Sequence, residues 1–249
     1  MKYYDEGATW YDLLSSGTPG DLPFYLKEAK KSKGKILEIA CGSGRIYLEL
    51  LKNGIDAYGL DLSPGMLGIL KEKAGKRGLG LDGRVKKADM RTFRYPFKFD
   101  LIIIPYRAFL HMETREDQKR CLLNARKHMK KGGRLILNFF DPRMDIISKI
   151  DCKWKDGRIK DPESGKTIRY KSFSHYDIVN QKTSAHYEIK NRGQGLPNKR
   201  LDLSLCYIFP REFMNMLELC GFKRWELYGG FKREPYKKHG SELVWIAYR

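Results

Sequence analysis

Short apolar runs alternate with segments of helical spacing over residues 35–140. The run at 100–105 (DLIIIP) is the most apolar, and the run at 35–40 (KILEIA) leads into a glycine-containing turn, as a buried strand does. Because helical segments separate these runs, we expect parallel strands with helices on both faces of the sheet. The predicted strands cover residues 35–40, 57–62, 84–88, 100–105 and 134–140.

The helical segments carry recognisable start and stop signals. Ser63 precedes Pro64, which is typical of an N-cap followed by proline in the first turn. Gly54 and Gly221 follow two other segments and predict their ends. The predicted helices cover residues 45–53, 63–76, 114–129 and 210–219, and two further strands are predicted at 222–228 and 241–248.

The pattern changes over residues 150–209 to an alternation of polar and apolar positions. This alternation, clearest at 167–179, 184–190 and 200–209, predicts an antiparallel meander of about three strands. Since strand–helix character resumes afterwards, we expect an antiparallel β cap inserted into one domain of residues 1–249. The expected fold class is α/β, doubly wound, with a mostly parallel seven-stranded sheet.

The net charge of +19 is the unusual feature of the composition. One interpretation is a polyanionic partner such as nucleic acid. The other is a solvated, lysine-rich surface, since charged residues make up 32% of the chain. The inserted segment contributes to the excess, because residues 151–200 carry 12 Lys and Arg against 6 Asp and Glu.

The five cysteines are scattered singly, which argues against both a zinc site and a disulfide framework and favours a reducing compartment. The sequence contains no run of about 18 apolar residues and no apolar leader, so we expect a cytoplasmic protein without a membrane partner. An open edge of the cap sheet could pair with its copy, so a monomer or a homodimer through the cap is expected.

The turn after the first strand carries the candidate chemistry. Gly42 and Gly44 allow a ligand to approach the backbone, and Asp61 follows 19 residues after Gly42, where an acid can bind ribose hydroxyls. This spacing is shared by nicotinamide and S-adenosylmethionine (AdoMet) sites. Tyr47 replaces the third glycine of the dinucleotide fingerprint, and Glu38 would repel a pyrophosphate but suits an ammonium or sulfonium group. Both features favour AdoMet.

Five motifs in order resemble those of the class I AdoMet-dependent methyltransferases. They are the turn EIACGSG at 38–44, GLDLSPGM at 59–66, ADM at 88–90, FDLIIIP at 99–105 and MKKGGRL at 129–135. The resemblance covers nearly the whole chain and implies the Rossmann-like methyltransferase fold and AdoMet as cofactor. Lys131 departs from the family's usual proline, and Cys41 from its usual small residue.

The resemblance also implies the roles of individual residues. The amino-acid end of AdoMet is expected at Glu38, Ala40, Gly42, Gly44 and the carbonyl of Ile104 or Pro105; the ribose at Asp61; and the adenine at Leu62, Met66, Asp89 and Met90.

A narrower resemblance is to the subgroup that methylates small molecules, including glycine and amino-sugar N-methyltransferases. It rests on Tyr11-Asp12, the segment 21–25, the segment 105–111 and the segment 228–231. It implies that an N-terminal helical segment, residues 1–34, folds over the cofactor as a lid with Tyr11 and Tyr25, and that the cap covers the substrate. Because the cap follows the fifth strand, we expect residues 150–209 to shape the acceptor site without binding AdoMet.

Methyl transfer needs orientation and exclusion of water more than a catalytic group. His111 follows the fourth strand and is the best candidate for a base, Arg107 for pairing with an acidic substrate group, and Tyr106 for orienting an amine. A structural role remains open for each of them.

Three functions remain open. The first is transfer of a methyl group to a nitrogen or oxygen of a small molecule. The second is methylation of RNA or protein, motivated by the charge. The third is a noncatalytic binding module or an oxidoreductase. The residues after the fourth strand, Ile104 to Arg107, lack the motifs of adenine, glutamine and cytosine-C5 methylation.

Overall fold

The computed structural model describes residues 2–160, 165–190, 199–237, 239 and 242–249. Within these residues the chain forms two sheets and a set of helices. The strands are β1 Ile36–Ile39, β2 Ala57–Asp61, β3 Val85–Lys87, β4 Phe99–Ile104, β5 Met129–Phe140, β6 Lys153–Lys160, β7 Thr167–Asp177, β8 Lys182–Lys190, β9 Lys199–Cys206, β10 Arg224–Tyr228 and β11 Glu242–Tyr248. The helices are α1 Lys2–Glu6, α2 Ala8–Leu14, α3 Asp21–Lys30, α4 Tyr47–Lys52, α5 Pro64–Lys76, α6 Arg115–His128, α7 Met144–Ile150 and α8 Pro210–Leu219, with a 3₁₀ helix at Ala108–His111.

The main sheet has seven strands in the order β10-β11-β5-β4-β1-β2-β3. Its pairs are parallel except where β11 pairs with β10 and β5, so the prediction of a mostly parallel seven-stranded α/β sheet is confirmed. The central strands are buried on both faces, as all four residues of β1 show. The carboxyl ends of β1, β2 and β4 therefore meet along one edge, where doubly wound sheets bind ligands.

The fifth strand differs from its prediction. It begins at Met129, five residues before the expected start, and includes Gly132 and Gly133. Its register with β4 shifts between Phe99 and Leu101. A Cβ on Gly133 would lie 3.0 Å from the carbonyl oxygen of Lys130, so glycine permits the irregular pairing. The two glycines therefore allow a bulge within β5.

The start of α5 agrees with its prediction. The Ser63 hydroxyl accepts a hydrogen bond from the Met66 backbone N–H at 3.1 Å, and Pro64 occupies the first turn. The preceding helix, α4, begins at Tyr47 and not at residue 45, because the chain is still in the glycine turn at Gly44, whose φ is +87°.

The cap is a second, antiparallel sheet in the order β6-β7-β8-β9. It has four strands, so the prediction of about three was wrong by one. The strand that was missed is β6, in which basic and acidic side chains occupy both faces and most residues are exposed. Without an apolar face of its own, this strand carries no clear alternation, and its pairing with β7 determines its conformation.

The helices α1 and α2 pack against one face of the cap. Tyr3 and Trp10 are buried with Ile168, Ile189 and Leu201 in a small apolar cluster. The N-terminal helices thus lie between the cap and the carboxyl edge of the main sheet. None of the helices in the described residues is long and apolar enough to cross a membrane.

Candidate active site

A cavity of about 430 Å³ lies at the carboxyl ends of β1, β2 and β4. This volume falls within the usual range for small-molecule and cofactor sites. Residues of the N-terminal helices, the 3₁₀ helix and β9 line it together with residues at the edge of the sheet. Of the predicted site residues, the cavity brings together Tyr11, Glu38, Ala40, Gly42, Asp61, Leu62, Met66, Asp89, Met90, Pro105, Tyr106 and His111.

The glycine turn forms the floor of this cavity. Gly42 has a φ of +53°, and a Cβ there would lie 3.1 Å from the Met66 side chain, at the cavity wall. Gly44 does not line the cavity. A Cβ on Gly44 would lie 2.9 Å from Leu48 and 3.0 Å from Leu70, so that glycine permits close packing of the following helix. Gly42 therefore leaves room for a ligand, whereas Gly44 leaves room for side chains of the protein core.

Glu38 is a buried acid that faces the cavity. Its residue surface is only 3% exposed, and its Oε2 has no hydrogen-bond partner among the described residues. Burial raises the pKa of this carboxyl well above its usual value, and Arg45 only partly opposes the rise. A buried acceptor without a partner is costly unless a ligand satisfies it. A ligand ammonium would supply the missing donor and a compensating charge.

Asp61 is held rigidly at the end of β2. Its Oδ2 accepts a hydrogen bond from Gly42 N–H at 2.9 Å and its Oδ1 accepts one from Ser63 N–H at 2.8 Å. Burial raises the pKa of Asp61, and these backbone donors counteract the rise. Leu62 N–H is a third backbone donor to this carboxylate, which has about four acceptor positions, so Asp61 can still accept from a further donor such as a ribose hydroxyl.

Asp89, which was predicted to bind the adenine, is already paired with a side chain of the protein. Asp89 lines the cavity, but both its oxygens accept hydrogen bonds from the Arg91 guanidinium, which lowers the pKa of Asp89. Arg91 also pairs with Asp117 at 3.0 Å. Any donor from a ligand must therefore share Asp89 with Arg91.

Three aspartates attach the N-terminal segment to the elements around the cavity. Asp5 accepts a hydrogen bond from the Ser63 hydroxyl at 2.6 Å. Asp12 accepts from the Ser43 hydroxyl at 2.5 Å and pairs with Lys73, while Asp21 pairs with Arg45 at 2.5 Å. These contacts hold α1 and α2 over the glycine turn, with Tyr3, Tyr4 and Tyr11 facing the cavity.

His111 lines the cavity from the 3₁₀ helix that follows β4. Its Nε2 is 2.7 Å from the Tyr4 hydroxyl. Burial lowers the pKa of His111 to about 4, and nearby Glu113 and a hydrogen bond with the Ser204 backbone offset this only in part. The imidazole is therefore neutral at pH 7, and Tyr4 can donate its hydroxyl proton to Nε2.

Tyr106 faces the cavity from the turn after β4. Its φ is +52°, and its backbone N–H donates to Asn138 Oδ1 at 3.0 Å. The ring lies edge-to-face with Tyr11 at 6.4 Å, and the Arg45 guanidinium is 5.3 Å from its centre. The tertiary contact with Asn138 maintains a backbone conformation that is unusual for a residue other than glycine.

Tyr25, Ile104 and Arg107 do not line the cavity. Tyr25 is fully buried and its hydroxyl donates to Asn138 Oδ1 at 2.8 Å, while Ile104 is buried within β4. Arg107 turns away because its φ is +65°, and its guanidinium pairs with the buried carboxylate of Glu242. These residues support the wall of the cavity from behind, so the structure does not favour contacts of Tyr25 or Arg107 with a ligand.

Several residues that line the cavity were not predicted from the sequence. They include Tyr3, Tyr4, Arg45, Glu113, Asp202 and Ser204. The cap and N-terminal residues reach the cavity only through tertiary packing, so no local pattern marks them. Asn138 was detectable in principle, because it is a polar residue inside the apolar run 134–140 and is fully buried.

The charge of the cavity is opposite to that of the whole chain. Its lining includes the carboxylates of Glu38, Asp61, Asp89, Glu113 and Asp202, against the guanidiniums of Arg45 and Arg91. Both guanidiniums are already paired with acids. The cavity therefore favours cationic or neutral ligands over phosphorylated ones.

Comparisons with known proteins agree with this geometry. Residues 36–133 match the family described as "Methyltransferase domain". A Bacillus subtilis (strain 168) protein with the provisional name methyltransferase YqeM is 26% identical over 224 residues, which cover 88% of this chain and 86% of that protein. The dTDP-3-amino-3,4,6-trideoxy-alpha-D-glucopyranose N,N-dimethyltransferase of Streptomyces venezuelae is 23% identical over 197 residues, 78% of this chain and 72% of that enzyme.

Solved structures share the fold of the whole chain. The CcbJ methyltransferase from Streptomyces caelestis superposes with a TM-score of 0.81 at 20% identity and covers 99% of this chain and 97% of its own. The sheet order, the glycine turn, the acid on β1 whose Oε2 has no partner among the described residues, and the family match all point to the same cofactor. The chain is an AdoMet-dependent methyltransferase, and the match to the methyltransferase-domain family covers residues 36–133.

Proposed function

We propose that the chain transfers the methyl group of AdoMet to a nitrogen or oxygen atom of a small-molecule acceptor, with an amine as the preferred acceptor. The observation that carries this proposal is that the N-terminal tyrosines and Asp202 to Ser204 of β9 line the same cavity as the glycine turn. A concave site of this volume, partly covered by the N-terminal segment and the cap, suits a small ligand, whereas a polymer would need a long open trough.

The residues of the glycine-turn end would hold the cofactor. Glu38 would bind the ammonium, Asp61 the ribose hydroxyls, and Leu62 and Met66 the adenine. AdoMet carries its methyl group on a sulfonium sulfur. This sulfur is a good leaving group because it departs as the neutral thioether of S-adenosylhomocysteine. Tyr11 and Tyr106 border the same space, and their ring faces attract positive charge. The protein would therefore contribute orientation and exclusion of water.

The part of the cavity around His111 would hold the acceptor. A neutral His111 whose Nε2 already accepts from Tyr4 is a weak base, because the pKa of His111 is about 4. An alcohol, which needs deprotonation, gains little from such a group. A free amine needs only to be oriented towards the methyl group, and Glu113 and Asp202 can attract its protonated form into the cavity.

The relatives support an amine acceptor. The Streptomyces venezuelae enzyme is named as an N,N-dimethyltransferase of an amino sugar linked to a nucleotide. The phosphates of a nucleotide-linked sugar need cationic side chains to bind them. The two guanidiniums that line the present cavity, those of Arg45 and Arg91, are already paired with acids. We therefore place any phosphate of the acceptor outside the cavity and only its amine-bearing part within it.

The test is turnover with AdoMet and a panel of amino sugars, amines, amino acids and phenols. Release of S-adenosylhomocysteine and the mass of the methylated product are both measured, with purified RNA and a protein extract as comparison substrates. We expect turnover with at least one amine and with neither polymer. Methylation of RNA alone, weakening steeply as salt is raised, would instead support a polymer substrate.

A further inference from the structure

Three side chains of different chemistry converge where the chain enters the cap. Cys152 Sγ lies 3.3 Å from His175 Nδ1 and 3.5 Å from Asp151 Oδ1, and the latter two atoms are 3.3 Å apart. Asp151 and Cys152 connect α7 to β6, while His175 lies on β7. This cluster lies outside the cavity lining.

The three separations match those of ligands around one zinc ion. Zinc binds thiolate at about 2.3 Å, imidazole at about 2.0–2.1 Å and carboxylate at about 2.0–2.2 Å, in tetrahedral geometry. Those bond lengths place the ligand atoms of a tetrahedral site about 3.4–3.6 Å from one another. The observed separations of 3.3–3.5 Å need movements of only a few tenths of an ångström to reach it.

The surrounding backbone holds the cluster in place. The Tyr176 N–H donates to Asp151 Oδ1 at 2.8 Å, and the Cys152 N–H donates to the Ser174 carbonyl at 2.8 Å. Cys152 has a φ of +54°, a strained conformation for a residue other than glycine that directs its side chain towards β7. A hydrogen bond to the non-ligating lone pair of a metal-binding carboxylate is typical of such sites.

We propose that Asp151, Cys152 and His175 form a zinc-binding site with a fourth position open to water. Cys152 and His175 are exposed and Asp151 is half-buried, so a metal ion can reach the ligands from solvent. Binding releases the thiol proton of Cys152, so affinity rises with pH. The ion links the α7–β6 connection to β7 and thereby stabilises the cap at the point where it leaves the main sheet.

The spacing of the ligands along the chain explains why the sequence does not predict this site. A zinc signature is usually read from closely spaced pairs of cysteine or histidine, and none is present. Here the antiparallel pairing of β6 with β7 brings together residues that are 23 positions apart.

The experiment titrates Co²⁺ into the reduced full-length chain and follows the thiolate-to-cobalt absorption band. We expect one equivalent of Co²⁺ to produce the band and Zn²⁺ to displace it. Cys152→Ser should abolish the band, and His175→Asn should weaken Zn²⁺ binding at least tenfold. Zn²⁺ should raise the unfolding temperature of the parent chain more than that of either variant.

A matched control is available on the neighbouring strand. His186 also pairs with a carboxylate, Asp202, but no cysteine lies with them in a metal-ligating cluster of the described residues. His186→Asn should therefore keep the band and the zinc affinity. The proposal is overturned if the parent gives no thiolate band, or if Zn²⁺ binds parent and Cys152→Ser equally. Because these measurements need neither AdoMet nor turnover, they are independent of the proposed function.

Discussion

Replacement of Glu38 by glutamine separates a ligand-binding role from a structural one. Glu38 is 3% exposed and its Oε2 has no partner among the described residues. If it binds the AdoMet ammonium, Glu38→Gln removes a charge-assisted hydrogen bond of about 1.5–3 kcal/mol. The dissociation constant of AdoMet should then rise about 10- to 150-fold.

The same substitution should not destabilise the ligand-free protein. Burial raises the pKa of Glu38 above its value in the unfolded chain. Above pH 4.5 the unfolded state therefore loses this proton first, and the contribution of Glu38 to stability falls as pH rises through its folded pKa. Glutamine has a similar shape and does not ionise, so the variant should be as stable as the parent near pH 4.5 and relatively more stable at pH 7.

Calorimetric titration of AdoMet and thermal unfolding of the ligand-free protein, both over a range of pH, provide the assay. AdoMet affinity of the parent should rise with pH as Glu38 ionises, whereas that of Glu38→Gln should be flat. Glu49→Gln is the control, because Glu49 pairs with Arg77 on the surface, away from the cavity, and should leave affinity within about twofold. The reasoning fails if Glu38→Gln binds AdoMet as tightly as the parent, or if it unfolds more easily at pH 7.

Three further predictions concern the acceptor end and the wall behind it. Tyr4→Phe removes the hydroxyl that lies 2.7 Å from His111 and helps to fix the orientation of its ring, so it should lower kcat about tenfold through poorer positioning of the acceptor while AdoMet affinity, measured by calorimetry, stays unchanged. Because the pKa of His111 is lowered to about 4, stability should fall as pH falls from 6.5 towards 4, by at most about 3 kcal/mol, and thermal unfolding of His111→Asn should lack that part of the slope. Arg107→Ala leaves the buried carboxylate of Glu242 without its guanidinium and should cost about 1–3 kcal/mol in denaturant unfolding, with AdoMet affinity within about threefold; a large loss of AdoMet affinity without loss of stability would contradict this structural role.

The sequence predicted the main sheet well because its signals are local. The apolar run of β4, the Ser63 cap and the glycine turn each depend on neighbours within a few residues. The site was harder to predict where it depends on distant contacts. Arg107 points away from the cavity and pairs with Glu242, which lies 135 positions along the chain, and Tyr4 reaches His111 across 107 positions.

The cap was also hard to predict where its structure depends on distant contacts. The strand β6 has charged residues on both faces, so its identity as a strand depends on pairing with β7. The apolar face of the cap is visible in the sequence, but its packing partner is not. That partner is the pair of short helices α1 and α2, whose Tyr3 and Trp10 join the cap residues in one cluster.

The binding of AdoMet by Asp61 is the most direct test of the cofactor site. AdoMet and NAD are titrated calorimetrically into the parent and into Asp61→Ala, after thermal unfolding has shown that the variant is folded. We predict that AdoMet binds the parent with one site per chain, that NAD does not bind, and that Asp61→Ala weakens AdoMet by about 1–3 kcal/mol, or roughly 5- to 150-fold, through lost hydrogen bonds to the ribose. Equal affinity of the parent and the folded variant for AdoMet, or binding of NAD in its place, would contradict the account.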